Sequence, residues 1–306
     1  MEGFPALKWM ELSVKAPSEY VEPLLAVFHR YGHGGVAVQM SGSYRPDEGE
    51  RPPDSGLVTV KTYVPLDSNA EERRSRIDLG VRLLAHLAPV SSLQKTILEE
   101  EQWESAWKQY FHVLRIGKRI VIVPTWREHE PKETDVVIQL DPGMAFGTGH
   151  HPTTRMCLEL LEEYVRPGVL ILDVGCGSGI LSIAAAKLGA AGVLGLEVDP
   201  VAAKVARVNV RSNLGTRIAK IIQGTFPHPQ IQASIYDISV ANITAEVILR
   251  LAHELVSAVT PGGTLIASGF LIENEATVAH RLEEAGATVE RRYTDGDWVA
   301  LVARRR

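Results

Sequence analysis

The sequence predicts an α/β chain in two parts, a larger domain on a mostly parallel sheet preceded by a smaller α+β layer of helices on an antiparallel sheet. Three observations carry this. Val169–Val174 is an apolar run interrupted only by Asp173, as in a strand covered on both faces, and it leads straight into Gly175, Gly177 and Gly179. A second such run, Gly192–Val198, follows a helical segment and carries Glu197 near its carboxyl end, twenty-two residues past Gly175. Upstream, residues 8–98 read as strand and helix patterns in the order β-α-β-β-α-β, which is the ferredoxin-like order.

The amino-terminal elements follow from periodicity. Residues 8–14 alternate, with Met10, Leu12 and Val14 on one face of a strand. Val21, Leu24, Leu25 and Phe28 form one helical stripe, with Ser18 placed to cap it and Gly32 to end it. Val36–Met40 alternates again, and residues 41–55 are loop, rich in Pro, Gly and charge. Leu57–Val64 is the third strand, Ile77, Val81, Leu84 and Leu87 mark a second helix, and Leu93–Leu98 is the fourth strand. Glu99–Phe111 reads as a connecting helix whose Trp103 and Trp107, one turn apart, serve packing. Arg119–Pro124 and Val136–Leu140 are strands leading onward. The expected boundaries are therefore 1–98 for the small domain, 99–134 for linker helix and connecting strands, and 135–306 for the large domain.

Leu140–Arg155 is rich in Gly, Pro and small polar residues and precedes a helical run, Met156–Tyr164. Thr153 or Thr154 is expected to cap that helix, aiming its free N–H groups at an anion such as a carboxylate. His150 and His151 are adjacent, so their side chains diverge, and no further ligand cluster has suitable spacing; no metal is expected. After the glycine turn, helices are expected at Ile180 onward, from Asp199 to about Asn213, at Ala245–Val259 and at Ile272–Ala285. Strands are expected at Ile218–Gly224, Tyr236–Ile243 and Gly263–Leu271. Asn242 then falls at the same sheet edge as Gly175 and Glu197. Thr288–Tyr293 and Trp298–Ala303 flank Asp295-Gly296 as a two-residue hairpin turn, and Arg304–Arg306 reads as a solvated tail.

A strand, glycine turn, helix, strand and acid describe a nucleoside pocket, with Glu197 placed to accept hydrogen bonds from a ribose diol. The dinucleotide fingerprint is not met, because position 180 is Ile and the third glycine is Gly179. No Gly-Lys-Ser/Thr follows, so a triphosphate cradle is also missing. At 306 residues the chain has room for two domains, and 45% hydrophobic with 23% charged residues is ordinary for a globular protein. A net charge of −5 argues against a large nucleic-acid surface and suits a basic protein as partner. Only Cys157 and Cys176 are present, so neither a disulfide framework nor a cysteine zinc site is indicated. Neither a secretory leader nor a membrane span is read, and a monomer in the cytoplasm is expected.

The Gly-x-Gly-x-Gly after an acid-bearing strand is similar to motif I of the S-adenosyl-L-methionine-dependent methyltransferases. Asp141-Pro-Gly-Met-Ala-Phe-Gly-Thr-Gly-His-His-Pro-Thr-Thr154, followed by Asp173-Val-Gly-Cys-Gly-Ser-Gly-Ile-Leu181, resembles one family closely, the ribosomal protein L11 methyltransferases. The resemblance extends to Val240–Ile243 and Trp103–Trp126, and more loosely to the amino-terminal domain. It implies a Rossmann-like, seven-stranded class I methyltransferase domain preceded by a ferredoxin-like substrate-recognition domain. It further implies S-adenosyl-L-methionine as cofactor, and methylation of amino groups of ribosomal protein L11, on lysine side chains and perhaps the terminal amine. At positions that contact the cofactor it places Thr154, Gly175, Glu197 and Asn242; Gly177, Gly179, Phe146 and Gly147, from the same motifs, complete the expected set. Asn242 is the expected catalytic residue, orienting the acceptor with its amide. Glu197 departs from the aspartate usual in the family. The adenine-modifying Asn-Pro-Pro-aromatic pattern is missing, since Ile243-Thr244-Ala245 follows Asn242, which lowers nucleobase methylation. Other readings are a methyltransferase for another protein or a small molecule, and a non-catalytic binding protein on the same scaffold.

Overall fold

A computed structural model describes residues 8–17, 20–40, 57–86, 88–98, 112–140, 149, 151–215 and 218–306. The expectations for Ser18, the 41–55 loop, Leu87, the 99–111 helix, Phe146, Gly147 and His150 lie outside the described residues. The chain divides into two compact units, Met1–Phe111 and His112–Arg306.

In the first unit, β1 (Trp9–Pro17), α1 (Val21–Tyr31), β2 (His33–Met40), β3 (Leu57–Pro65), α2 (Ala70–Ala85) and β4 (Gln94–Leu98) follow one another. The strands form a four-stranded sheet of order β2-β3-β1-β4, antiparallel at every pairing. Alternation along β1 buries Met10, Leu12, Val14 and Ala16 on one face, together with Val58, Val60 and Val64 of β3. Leu24 and Phe28 of α1 and Ile77 and Val81 of α2 close over them, so both helices serve one face of the sheet. Lys61 Nζ and Tyr63 Oη both donate to Glu11, at 3.1 and 3.0 Å, on the opposite face.

The second unit begins with a three-stranded sheet of order β5-β6-β7, formed by Leu114–Ile116, Ile120–Val123 and Val136–Gln139. Strand β5 goes unread in the sequence because it is only three residues long and turns at Gly117, which has φ +59°. Ile116, Ile120, Ile122 and Ile138 pack into the core of the second unit, so the residues from 112 onward belong to its body. Asp135 holds the loop between β6 and β7 by accepting both guanidinium nitrogens of Arg115 at 2.8 Å and the Lys132 N–H at 3.0 Å. The Arg115 hydrogen bonds hold its carboxyl far below the ordinary carboxylate range, helped by the Lys132 N–H and the Arg115 charge.

Next come α3 (Pro152–Tyr164), β8 (Leu170–Val174), α4 (Ile180–Lys187), β9 (Gly192–Glu197), α5 (Pro200–Leu214), β10 (Ala219–Gln223), β11 (Tyr236–Asn242), α6 (Ala245–Ala258), β12 (Val259–Leu271), α7 (Glu275–Glu284), β13 (Ala287–Asp295) and β14 (Trp298–Arg305). The main sheet has seven strands in the order β10-β9-β8-β11-β12-β14-β13. From β10 to β12 the pairings are parallel, and β14 runs antiparallel to both neighbours. Strand order reverses between β8 and β11, because α3, α4 and α5 cover one face while α6 and α7 cover the other. That reversal opens a crevice at the carboxyl ends of β8 and β11, the place where open α/β sheets bind ligands.

Local expectations are corrected at six places. The α3 cap is His151, whose Nδ1 accepts from the Thr153 N–H, and not a threonine. Pro152 has no N–H to satisfy and a φ suited to the first turn, so the helix begins there. The hairpin turn is Gly296-Asp297, since Asp295 still pairs with Trp298; Gly296 takes φ +58° at the first central position, which a type II′ turn requires. β12 starts at Val259, and the segment expected as one helix from Ile272 opens with a 3₁₀ turn, Ile272–Asn274, before α7. Arg304 and Arg305 are no solvated tail: β14 runs to Arg305, whose guanidinium donates to Ser234 Oγ at 2.7 Å and to the carbonyls of Ser257 and Val259.

Among the described residues, no helix is long and apolar enough to cross a membrane. Leu161, fully buried in α3 between the small and main sheets of this unit, tests the packing. Leu161→Ala is expected to cost about 2–5 kcal/mol, read as a lower urea midpoint for the second unit.

Candidate active site

The glycine turn is fastened on three sides. The Gly175 and Cys176 N–H groups both donate to Leu196 O, at 2.8 and 2.9 Å, tying the turn to β9. The Gly177 N–H donates to Glu197 Oε2 at 2.8 Å, and Asn209 of α5 donates to Ser178 O at 2.9 Å. Gly175, Gly177 and Gly179 all take positive φ, +73°, +53° and +83°, which residues with a Cβ rarely adopt. At Gly175 a Cβ would also lie 2.3 Å from Ile243 Cγ2.

Glu197 is 8% exposed, and its other oxygen accepts the Asp199 N–H at 3.0 Å. An ionised carboxylate offers about four acceptor positions, so it retains capacity for two hydroxyls of a sugar. Asp199 accepts the Val201 N–H at 2.7 Å and so caps α5 behind Pro200.

Across the crevice, Asn242 ends β11. Its Nδ2 donates to Thr154 Oγ1 of the fully buried Thr154, at 3.4 Å, while its Oδ1 is buried with no hydrogen-bond partner. A buried amide oxygen without a donor is costly in the absence of a ligand. The α3 start, beside it, is braced by a T-shaped His151–Trp298 contact with ring centroids 4.6 Å apart, and by Arg155 Nη2 donating to Asp295 Oδ2 at 2.5 Å.

Asp173 lies on the same face of the sheet, since its strand partner is Val240, two residues before Asn242. Ser182 Oγ donates to its Oδ2 at 2.6 Å, and Oδ1 is a second buried acceptor without a partner. Burial pushes the Asp173 carboxyl up to about 7, with the neighbouring Glu197 charge adding to the rise and the Ser182 hydrogen bonds opposing it. Burial likewise raises the thiols of Cys157 and Cys176, so both are unreactive thiols.

Of the residues singled out from sequence, Gly175, Gly177, Gly179 and Glu197 meet in one bonded turn, and Thr154 meets Asn242. Phe146 and Gly147 lie outside the described residues. Asp173 carries a signal in the sequence too, as one acid in a strand otherwise apolar on both faces. Among the described residues there is no group of three or more His, Cys, Asp or Glu that could hold a metal ion.

A glycine turn after the first strand of this sheet order, an acid ending the next strand and a polar residue ending the one across the switch define a class I S-adenosylmethionine-dependent methyltransferase. The ribosomal protein L11 methyltransferase (PrmA) family model matches residues 8–306, and the chain belongs to that family. A ribosomal protein L11 methyltransferase of Chloroflexus aurantiacus is 42% identical over 326 aligned residues, covering 97% of this chain and 98% of the relative. One from Pelotomaculum thermopropionicum is 40% identical, covering 97% and 99%. The crystal structure of a ribosomal protein L11 methylase from Lactobacillus delbrueckii subsp. bulgaricus is 31% identical, with a TM-score of 0.58, and covers 64% of this chain and all of that one.

Two measurements test the site. Gly177→Val is expected to abolish S-adenosylmethionine binding by calorimetry, because a β-branched residue resists φ +53° and displaces the N–H held by Glu197. Asp173 should make the ligand-free protein less stable as pH rises. Its folded pKa, about 7, lies above the ordinary 3.8, so between those values the folded chain holds a proton that the unfolded chain has released. Its contribution is therefore lost from pH 3.8 upward, completely above about 7, and Asp173→Asn should flatten that fall in a series of urea unfolding curves.

Proposed function

We propose that the chain transfers methyl groups from S-adenosylmethionine to amino groups of ribosomal protein L11, on lysine side chains and perhaps the terminal amine. The observation that carries this is the orphaned Asn242 Oδ1, a buried acceptor without a partner at the carboxyl end of β11, on an amide held by Thr154. The residues present are compatible with the cofactor: Glu197 accepts only two N–H groups and so keeps acceptor capacity for a ribose diol, and the Gly175–Gly179 turn has no side chain at its glycines to oppose close approach; contacts from Thr154, Phe146 and Gly147 are part of the same proposal.

The cofactor supplies a methyl group already activated on a sulfonium. The chain's own task is to align and to desolvate, which for well-held groups is worth up to ~7–11 kcal/mol. Asn242 Oδ1 accepts one N–H of the incoming amine and so turns the nitrogen lone pair toward the methyl carbon. Burial beside Asn242 favours the neutral amine, the form that has a lone pair. Held there by Asn242, the amine nitrogen would take the methyl that the bound cofactor supplies, and the proton shed by the methylated amine would pass to solvent.

In this reading the connection after residue 98 leads into the second unit at 112, which, above all in 135–306, carries the chemistry, and residues 1–98 are a ferredoxin-like domain that recognises the protein substrate. Its four-stranded antiparallel sheet, with both helices on one face, supports that role. The protein works as a monomer in the cytoplasm, with no nucleic acid or membrane partner. Another protein or a small molecule as acceptor is the alternative reading.

The test is mass spectrometry of purified ribosomal protein L11 after incubation with the full chain and S-adenosylmethionine. Methylated lysines are expected; an unmodified product from enzyme that binds the cofactor by calorimetry would exclude this acceptor. Asn242→Ala should lower kcat on the order of 100-fold in the same assay, since the amine loses its alignment.

A further inference from the structure

Ile243 follows the last residue of β11 and sits between two glycines from the flanking strands. On the β8 side, a Cβ on Gly175 would lie 2.3 Å from Ile243 Cγ2, so the Ile243 side chain occupies the notch that this glycine leaves. On the β12 side, Gly269 has φ +96°, and a Cβ there would lie 2.4, 2.7 and 2.8 Å from the O, N and C atoms of Ile243. Gly269 is the residue at which the β12–β14 register shifts, between Ser268 and Phe270. The Ile243 N–H also donates to Ser268 O at 3.0 Å, and Ser268 is the strand partner of Asn242. The main chain of Ile243 is thus held against β12 while its γ-methyl bears on the glycine turn. Ile243 packs with the core on the α6 side, the face opposite Asn242.

We propose that Ile243 is a positioning residue, a wedge that sets the level of Asn242 relative to the glycine turn. The fit is two-sided: Gly175 receives its γ-methyl and Gly269 receives its peptide. Alternation sends Asn242 toward α3 and Ile243 toward α6, so the wedge acts without touching substrate. What it contributes is the separation between the turn after β8 and the amide at the end of β11. This rests on the reading of Asn242 as the group that orients the acceptor amine.

The test compares Ile243→Ala, which removes both γ carbons, with Ile243→Val, which keeps them, in full-length protein with ribosomal protein L11 as acceptor. For Ile243→Ala, kcat is expected to fall about 10- to 100-fold, with S-adenosylmethionine Kd by calorimetry within about threefold of the parent. Ile243→Val should restore kcat to within about threefold although it too loses buried volume. Gly269→Ala, pressing on Ile243 from the other side, should repeat the kcat loss with the cofactor affinity kept. The crystal structure of Ile243→Ala should show Asn242 displaced by about 1 Å relative to Gly175. Parent-like kcat in Ile243→Ala, or kcat losses that follow Tm through Ala and Val alike, would overturn the proposal. So would failure of both Ile243→Ala and Gly269→Ala to fold, which makes the residue scaffold alone. If Asn242→Ala keeps its kcat while Ile243→Ala loses it, the reading of Asn242 falls instead; if only Ile243→Ala is parent-like, only the wedge does.

Discussion

The carboxyl edge of the main sheet depends on a hydrogen bond from the Gly177 N–H to the carboxylate of Glu197. A carboxylate that is 8% exposed must find donors, and here both are main-chain N–H groups, of Gly177 and Asp199. The acid therefore stands at the junction of β9, α5 and the turn after β8. Leu196, its neighbour in β9, accepts two more N–H groups from the same turn. Loop and acid consequently cannot shift independently, and a ligand that spans them meets a preformed surface. In this position the resemblance implies an aspartate; here the two oxygens of Glu197 serve the glycine turn and the cap residue of α5 together.

The opposite wall of the crevice is built differently. Where β9 and β8 are laced by main-chain bonds, Asn242 is held through one side-chain contact, to Thr154, and the second half of its amide is left open. Asp173 repeats the pattern, with one oxygen on Ser182 and one without a partner. An unpartnered amide oxygen and an unpartnered carboxyl oxygen on one face of neighbouring strands are unfavourable for folding alone.

Much of this could be read from residues. The glycines at 175, 177 and 179 and the acid at 197 were legible because each is demanded by backbone conformation or strand-end chemistry, which are local properties. Asn242 was legible only from its place at the end of an apolar strand. The His151 cap is hidden in the sequence because a threonine pair next to it satisfies the usual preference, and the proline that moves the helix start lies in a stretch of loop-like composition. The Gly296-Asp297 turn was missed by one residue because Asp-Gly suits the commoner turn, whereas pairing across the hairpin decides the register. Strand β5 and the bonding of Arg305 are products of tertiary contacts, to α3 and to the carbonyls after α6, that no window of local sequence contains. Ile243 is the clearest case: an apolar residue after a strand carries no signal until the glycines on both sides of it are brought together.

The order β12-β14-β13 has a consequence for assembly of the sheet. β13 touches the rest of the sheet only through β14, which follows it in the chain, so the earlier strand has nothing to pair with until the later one has been made. While a ribosome is still adding the residues of β14, β12 presents a bare edge and the hairpin that braces α3 through Asp295 and Trp298 does not exist. The glycine turn can form during synthesis, but the wall facing it acquires its support only at the end, so a growing chain would hold one side of the crevice well before the other is braced.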